Sequence, residues 1–137
     1  MHKPILKTML IINSSDAKQN ISKKNLSTIL AGLYKWRYSW LYNDTELYLS
    51  FYSNNFIRED GMKYERFVKY KTRIFNKDEK KKIIFKNITV MPYPNTIDTF
   101  QVTFKEYYSS TSFTFEGDKV LMVKLTKDNS FQIFTEK

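Results

Sequence analysis

A chain of 137 residues with 42% apolar side chains is long enough to bury one core and too apolar to be disordered throughout. It has no cysteine and a single histidine, His2. That excludes a disulfide scaffold, a thiolate metal site and a cysteine nucleophile, and leaves no practical Ser–His–Asp triad. The net charge of +9 favours anionic partners, and 17% aromatic residues supply large flat apolar surfaces for a core or a ligand.

Residues 1–24 read as a leading linker, in which the β-prone run Met9–Ile12 forms either a short strand at 8–12 or a packed connection. No apolar run approaches the roughly eighteen residues of a membrane span, and Met9–Ile12 is too short for the core of an export signal. Any such signal is expected outside this chain. From Leu26 the apolar period becomes helical: Leu26, Ile29, Leu30, Leu33, Trp36, Trp40 and Leu41 form one stripe. A second helix is predicted over 44–53, capped by Asn43 with Glu46 closing a capping box, and carrying Leu47, Tyr48, Phe51 and Tyr52. Asp60-Gly61 makes a turn. A third helix is predicted over 63–75, with Tyr64, Phe67, Val68 and Lys71 on one side.

After Lys80–Lys82 the pattern is that of strands, predicted over 83–91, 97–109, 113–125 and 130–136. Glu116-Gly117-Asp118 suggests a bulge or bend in the third of these, and Asp128-Asn129 a tight turn before the fourth. Helices first and strands afterwards mean an α+β domain over 25–137, with three helices packed on one face of a curved antiparallel sheet of about four strands.

Between Met62 and Lys86 stand ten Lys or Arg against three acids. The run is either a solvated face or a surface for nucleic acid, acidic lipid or a carboxylate-bearing polymer such as peptidoglycan. The three glycines, Gly32, Gly61 and Gly117, make no phosphate-binding loop, and neither a metal nor a cofactor is expected. Asp44, Glu106 and Glu136 are the carboxylates open to acid–base work. The alternative roles are a helix cap for Asp44 and strand-face ion pairing for Glu106 and Glu136. Alternation along Lys119–Val123 puts Lys119 on the face of Leu121, Val123 and Leu125. Lys119 then either points into a cavity with an anion for company or, at the strand's start, reaches back to water. Glu136 is its natural internal counter-charge.

The run Trp36-Arg37-x-x-Trp40-x-x-x-Asp44-x-x-x-Tyr48-Leu49-x-x-Tyr52-x-x-x-Phe56 resembles the first two helices of the nuclear transport factor 2-like accessory domain of murein L,D-transpeptidase-type proteins. Gly61 before the third helix, Phe104-x-Glu106-x-Tyr108-x-Ser110, Lys119-x-Leu121 and Phe131-x-Ile133-x-x-Glu136 extend the likeness over about 26–137. That family usually has Gln where Glu106 stands and Trp where Phe131 stands. Within it the chain is most similar to the peptidoglycan L,D-carboxypeptidases of helical bacteria such as Campylobacter and Helicobacter. The resemblance implies a cone: a strongly bent antiparallel sheet closed by three helices, with a pocket at its mouth. It implies Lys69, Lys119 and Glu136 as polar pocket residues, although Lys69 lies off the Tyr64, Phe67 and Val68 side of its helix. Trp40, Tyr48, Tyr52 and Tyr108 would be the walls. The implied role is non-catalytic binding of peptidoglycan muropeptides in the periplasm, beside a tethered catalytic domain that this chain lacks. A homodimerisation or protein-interaction module, and a basic nucleic-acid-binding domain, are the alternatives.

Overall fold

A computed structural model describes residues 21–137. The strand expected at 8–12 and most of the linker lie outside the described residues. Helix α1 (Lys23–Leu41) takes in the last two residues of the expected linker. Ser22 caps it by accepting the Asn25 N–H at 3.1 Å, and Leu26, Ile29, Leu30, Leu33 and Trp36 are buried as the stripe requires. Gly32 lies on the same buried side, where a Cβ would meet the Cβ and Cγ of Phe131 at 2.5 Å. The helix therefore packs backbone against ring.

Helix α2 (Thr45–Ser50) is shorter than predicted, and Asp44 caps it by accepting the Leu47 N–H at 3.2 Å. Asn43 is not the cap. It takes a left-handed conformation (φ 56°) at the junction of α1 and α2 and bonds to Asp78 and Lys81 across the fold. From Tyr52 the chain becomes strand β1 (Tyr52–Arg58), where a helix was predicted to run on to residue 53. The Leu47, Tyr48, Phe51 and Tyr52 spacing is helical, but β1 satisfies a sheet edge: Ile133 N–H donates to Phe51 C=O at 2.7 Å, and Tyr52 pairs with Ile133. After the turn at Gly61 (φ 90°), helix α3 (Tyr64–Phe75) buries Phe67 and Phe75.

Four long-range strands follow as predicted: β2 (Lys81–Pro92), β3 (Thr99–Ser110), β4 (Thr114–Leu125) and β5 (Phe131–Glu136). The sheet thus has five strands in the order β1-β5-β4-β3-β2, all antiparallel except the β1–β5 pair. No bulge occurs at Glu116–Asp118, since β3 and β4 stay in register with Glu106 opposite Gly117. The irregularities fall instead between Lys86 and Thr89, where Asn87 has φ 56°, between Met122 and Val123 opposite β5, and between Tyr52 and Ile57 in the β1–β5 pair.

The concave face carries Phe85 and Val90 of β2, Val102 and Phe104 of β3, Leu121 and Val123 of β4, and Ile133 of β5, all buried beneath α1. Toward one end this face changes character. Glu106 is two residues beyond Phe104, Lys119 is cross-strand from Phe104, and Glu136 is cross-strand from Leu121. The three polar residues run diagonally over neighbouring strands at the edge of the core.

Candidate functional site

That diagonal is the floor of an open cavity of about 650 Å3, walled in part by α1, α2 and α3. Lys119 Nζ stands 3.6 Å from Glu136 Oε2 and 5.4 Å from the centre of the Phe115 ring. Gly117 makes room for that ring, because a Cβ there would lie 2.8 Å from Phe115 Cζ. Lys119 therefore points into the cavity and has the counter-charge expected of it.

Glu136 is buried and held from behind. Its Oε1 lies 3.1 Å from the Tyr52 hydroxyl, which accepts the Trp36 indole N–H at 3.0 Å and lies 2.9 Å from the Tyr48 hydroxyl. With one proton to give, Tyr52 makes its stronger bond to the carboxylate. Burial, and then the Glu136 charge, push both tyrosine hydroxyls well above their ordinary range, so they remain neutral donors.

Two further ionisable groups share the cavity. Lys71 of α3 lies with Nζ 5.7–5.8 Å from the ring centres of Trp40, Tyr48, Phe67 and Tyr70, an aromatic cage. It makes no ion pair among the described residues. Desolvation lowers its pKa, opposed by Glu136. Glu106 is 3% exposed, and its Oε1 has no hydrogen-bond partner among the described residues. Burial raises its pKa to about 7, with Lys119 pulling the other way. One wall is a stacked pair, Trp40 on Tyr108, with ring centres 5.3 Å apart and planes 18° from parallel.

Of the residues singled out from sequence, Lys119, Glu136, Trp40, Tyr48 and Tyr108 line this cavity. Tyr52 stands behind Glu136 as its hydrogen-bond partner and does not line it. Lys69 is exposed on the outer side of α3, away from the cavity, and Lys71 occupies the place assigned to it. The signal for Lys71 was present: it follows Tyr64 and Phe67 at seven and four residues, on the apolar side of α3. Among the described residues Glu106 forms no strand-face ion pair, and Asp44 acts as a cap. Of the ten cations between Met62 and Lys86, only Lys71 and Lys81 are partly buried. Lys81 bonds Asn43 and the Glu79 carbonyl at the cavity mouth. Among the described residues, no group of three or more His, Cys, Asp or Glu could hold a metal, and no helix is long and apolar enough to cross a membrane.

No curated protein matches the sequence. Among solved structures, the helical cell shape determining protein Pgp2 from Campylobacter jejuni is 37% identical in its K307A mutant form, with a TM-score of 0.82 over 85% of this chain and 41% of that one. The form without that substitution is 38% identical, with a TM-score of 0.76 over 85% and 42%. Bd1075 from Bdellovibrio bacteriovorus, at 21% identity and a TM-score of 0.73 over 85% and 42%, shares the fold. The chain thus spans about two-fifths of the length of these proteins. The profile of the Cds6 C-terminal NTF2-like domain matches residues 28–137, and the chain belongs to that family.

Proposed function

We propose that this domain binds peptidoglycan stem peptides in its cavity and holds them for a tethered L,D-carboxypeptidase, without catalysing a reaction itself. The carrying observation is the Lys119–Glu136 pair facing a cavity of about 650 Å3 beside the Trp40–Tyr108 stack. Such a floor offers a carboxylate a charge-assisted partner, and the stacked rings offer a flat apolar wall to sugar or peptide. The likeness to Pgp2, a helical cell shape determining protein, supports a periplasmic role in cell shape for the whole protein. Tethering would raise the local concentration of substrate at the enzyme, an avidity effect that needs no chemistry here.

Titration of purified muropeptides into the 137-residue chain tests this reading. Lys119→Ala is expected to weaken binding about tenfold or more, the worth of one charge-assisted contact of roughly 1.5–3 kcal/mol. Lys69→Ala is expected to leave it unchanged. Equal affinity in the wild type and Lys119→Ala would contradict the assignment.

A further inference from the structure

Four of the ionisable side chains that line the cavity, Lys71, Lys119, Glu106 and Glu136, have unequal partnerships. Lys119 and Glu136 answer each other, and Tyr52 completes Glu136. Lys71 and Glu106 have no such answer. Lys71 faces four aromatic rings and no carboxylate within ion-pairing distance, and Glu106 keeps a buried oxygen without a hydrogen bond. Both line the same space, and among the described residues they are the buried or partly buried charged groups of that lining left without a partner, one cation and one carboxyl. A buried polar group without a partner is costly, and a ligand that supplies the partner recovers that cost on binding. A simple anion would serve Lys71 and leave Glu106 facing a like charge, whereas a simple cation would do the reverse.

Resting on the reading that this cavity takes stem peptides, we infer that a subsite between Lys71 and Glu106 recognises a dipolar amino-acid head, with a free carboxylate on Lys71 and a free ammonium on Glu106. Glu106 is the specificity-determining residue of this subsite. It separates a ligand with a free amine from one in which that amine is acylated or cross-linked. The chemistry also fixes a pH dependence. The groups facing Glu106 are Lys71 from α3, Lys119 from β4, Glu136 from β5, Tyr48 from α2 and Tyr108 from its own strand β3. Glu106 must be ionised to hold an ammonium, and burial delays its ionisation to about pH 7. Affinity for the dipolar ligand therefore rises as pH rises through 7. If a protonated Glu106 instead donated to a ligand carboxylate, affinity would fall over the same range.

The test uses the full chain and two probes: a tripeptide muropeptide whose terminal diamino acid keeps its free ammonium and carboxylate, and the same compound N-acetylated on that amine. Calorimetric titration of the wild type is expected to show the acetylated compound binding about tenfold more weakly at pH 8. The free-amine compound should bind more tightly at pH 8 than at pH 6. Glu106→Gln should remove both differences. Equal binding of the two compounds to the wild type, or affinity that falls from pH 6 to pH 8, overturns the dipolar subsite and leaves muropeptide binding intact. Failure of both compounds to bind overturns the subsite and the proposed function together. The comparison of the two ligands is made on the wild type, so it does not depend on how the variant folds.

Discussion

A carboxyl group that is 3% exposed and without a partner keeps its proton to higher pH in the folded chain than in the unfolded one. For Glu106 the two values are about 7 and 4.5. Between them the folded state binds more protons, so stability is fully present below the lower value and declines as pH rises through the higher one. The loss above pH 7 is about 3 kcal/mol on the scale of 1.36 kcal/mol per unit. Glu106→Gln, which cannot ionise, is expected to match the wild type near pH 4.5 and exceed it by roughly 1–3 kcal/mol at pH 8. Denaturant unfolding at the two pH values measures this, and a stability difference independent of pH would contradict it. Side-chain direction explains what was legible at this scale. Strand alternation is strict, so Lys119 could be placed on the core face from sequence. On α3 helical spacing puts Lys71 on the Phe67 side and Lys69 off it, so the family pattern that pointed to Lys69 disagreed with the periodicity, and the fold follows the periodicity. The unpaired state of Glu106 could not be read, because it depends on which side chains three other elements bring near it.

Helices α1 and α3 and strands β2 to β5 were readable because each carries a long periodic pattern of its own. Strand β1 was not. Its seven residues follow a helical spacing, and its partner β5 lies about eighty residues away, so the information that makes it a strand is non-local. The missing bulge at Gly117 has a related cause: the glycine serves the Phe115 ring and leaves the ladder regular. Gly32 shows the same use of a missing side chain between elements. In an isolated helix, Gly32→Ala would gain about 1 kcal/mol from propensity. Here the new methyl would lie 2.5 Å from the Cβ and Cγ of Phe131, atoms close to the β5 backbone that cannot swing away. Overpacking of this kind costs roughly 1–3 kcal/mol, so the variant is expected to be less stable than the wild type despite the better helix former. Thermal or denaturant unfolding reads the sign directly, and a stabilised variant would mean that α1 does not pack on Phe131 as described.

Across the whole molecule, charge is sorted by position. The sequence puts most of its excess charge between Met62 and Lys86, yet nearly all of those cations lie on the outside. In the cavity, Lys71 of α3 and the floor residues Lys119, Glu106 and Glu136 carry charges that are close to balanced. The outer field can draw an anionic polymer towards the domain, and the inner groups can then select within it. The net charge was legible from composition, and the balance of the cavity needed the fold. Under the proposed function, muropeptides enter this cavity and do not merely adhere to the basic exterior. Two-dimensional NMR of the chain, titrated with a tripeptide muropeptide at moderate salt, tests it most directly. Shifts are expected to concentrate on the Trp40 indole and on the amides around Lys71, Glu106, Tyr108 and Lys119. Shifts confined to the outer lysines, such as Lys69, Lys80, Lys82 and Lys86, with the Trp40 signal unmoved, would contradict the account.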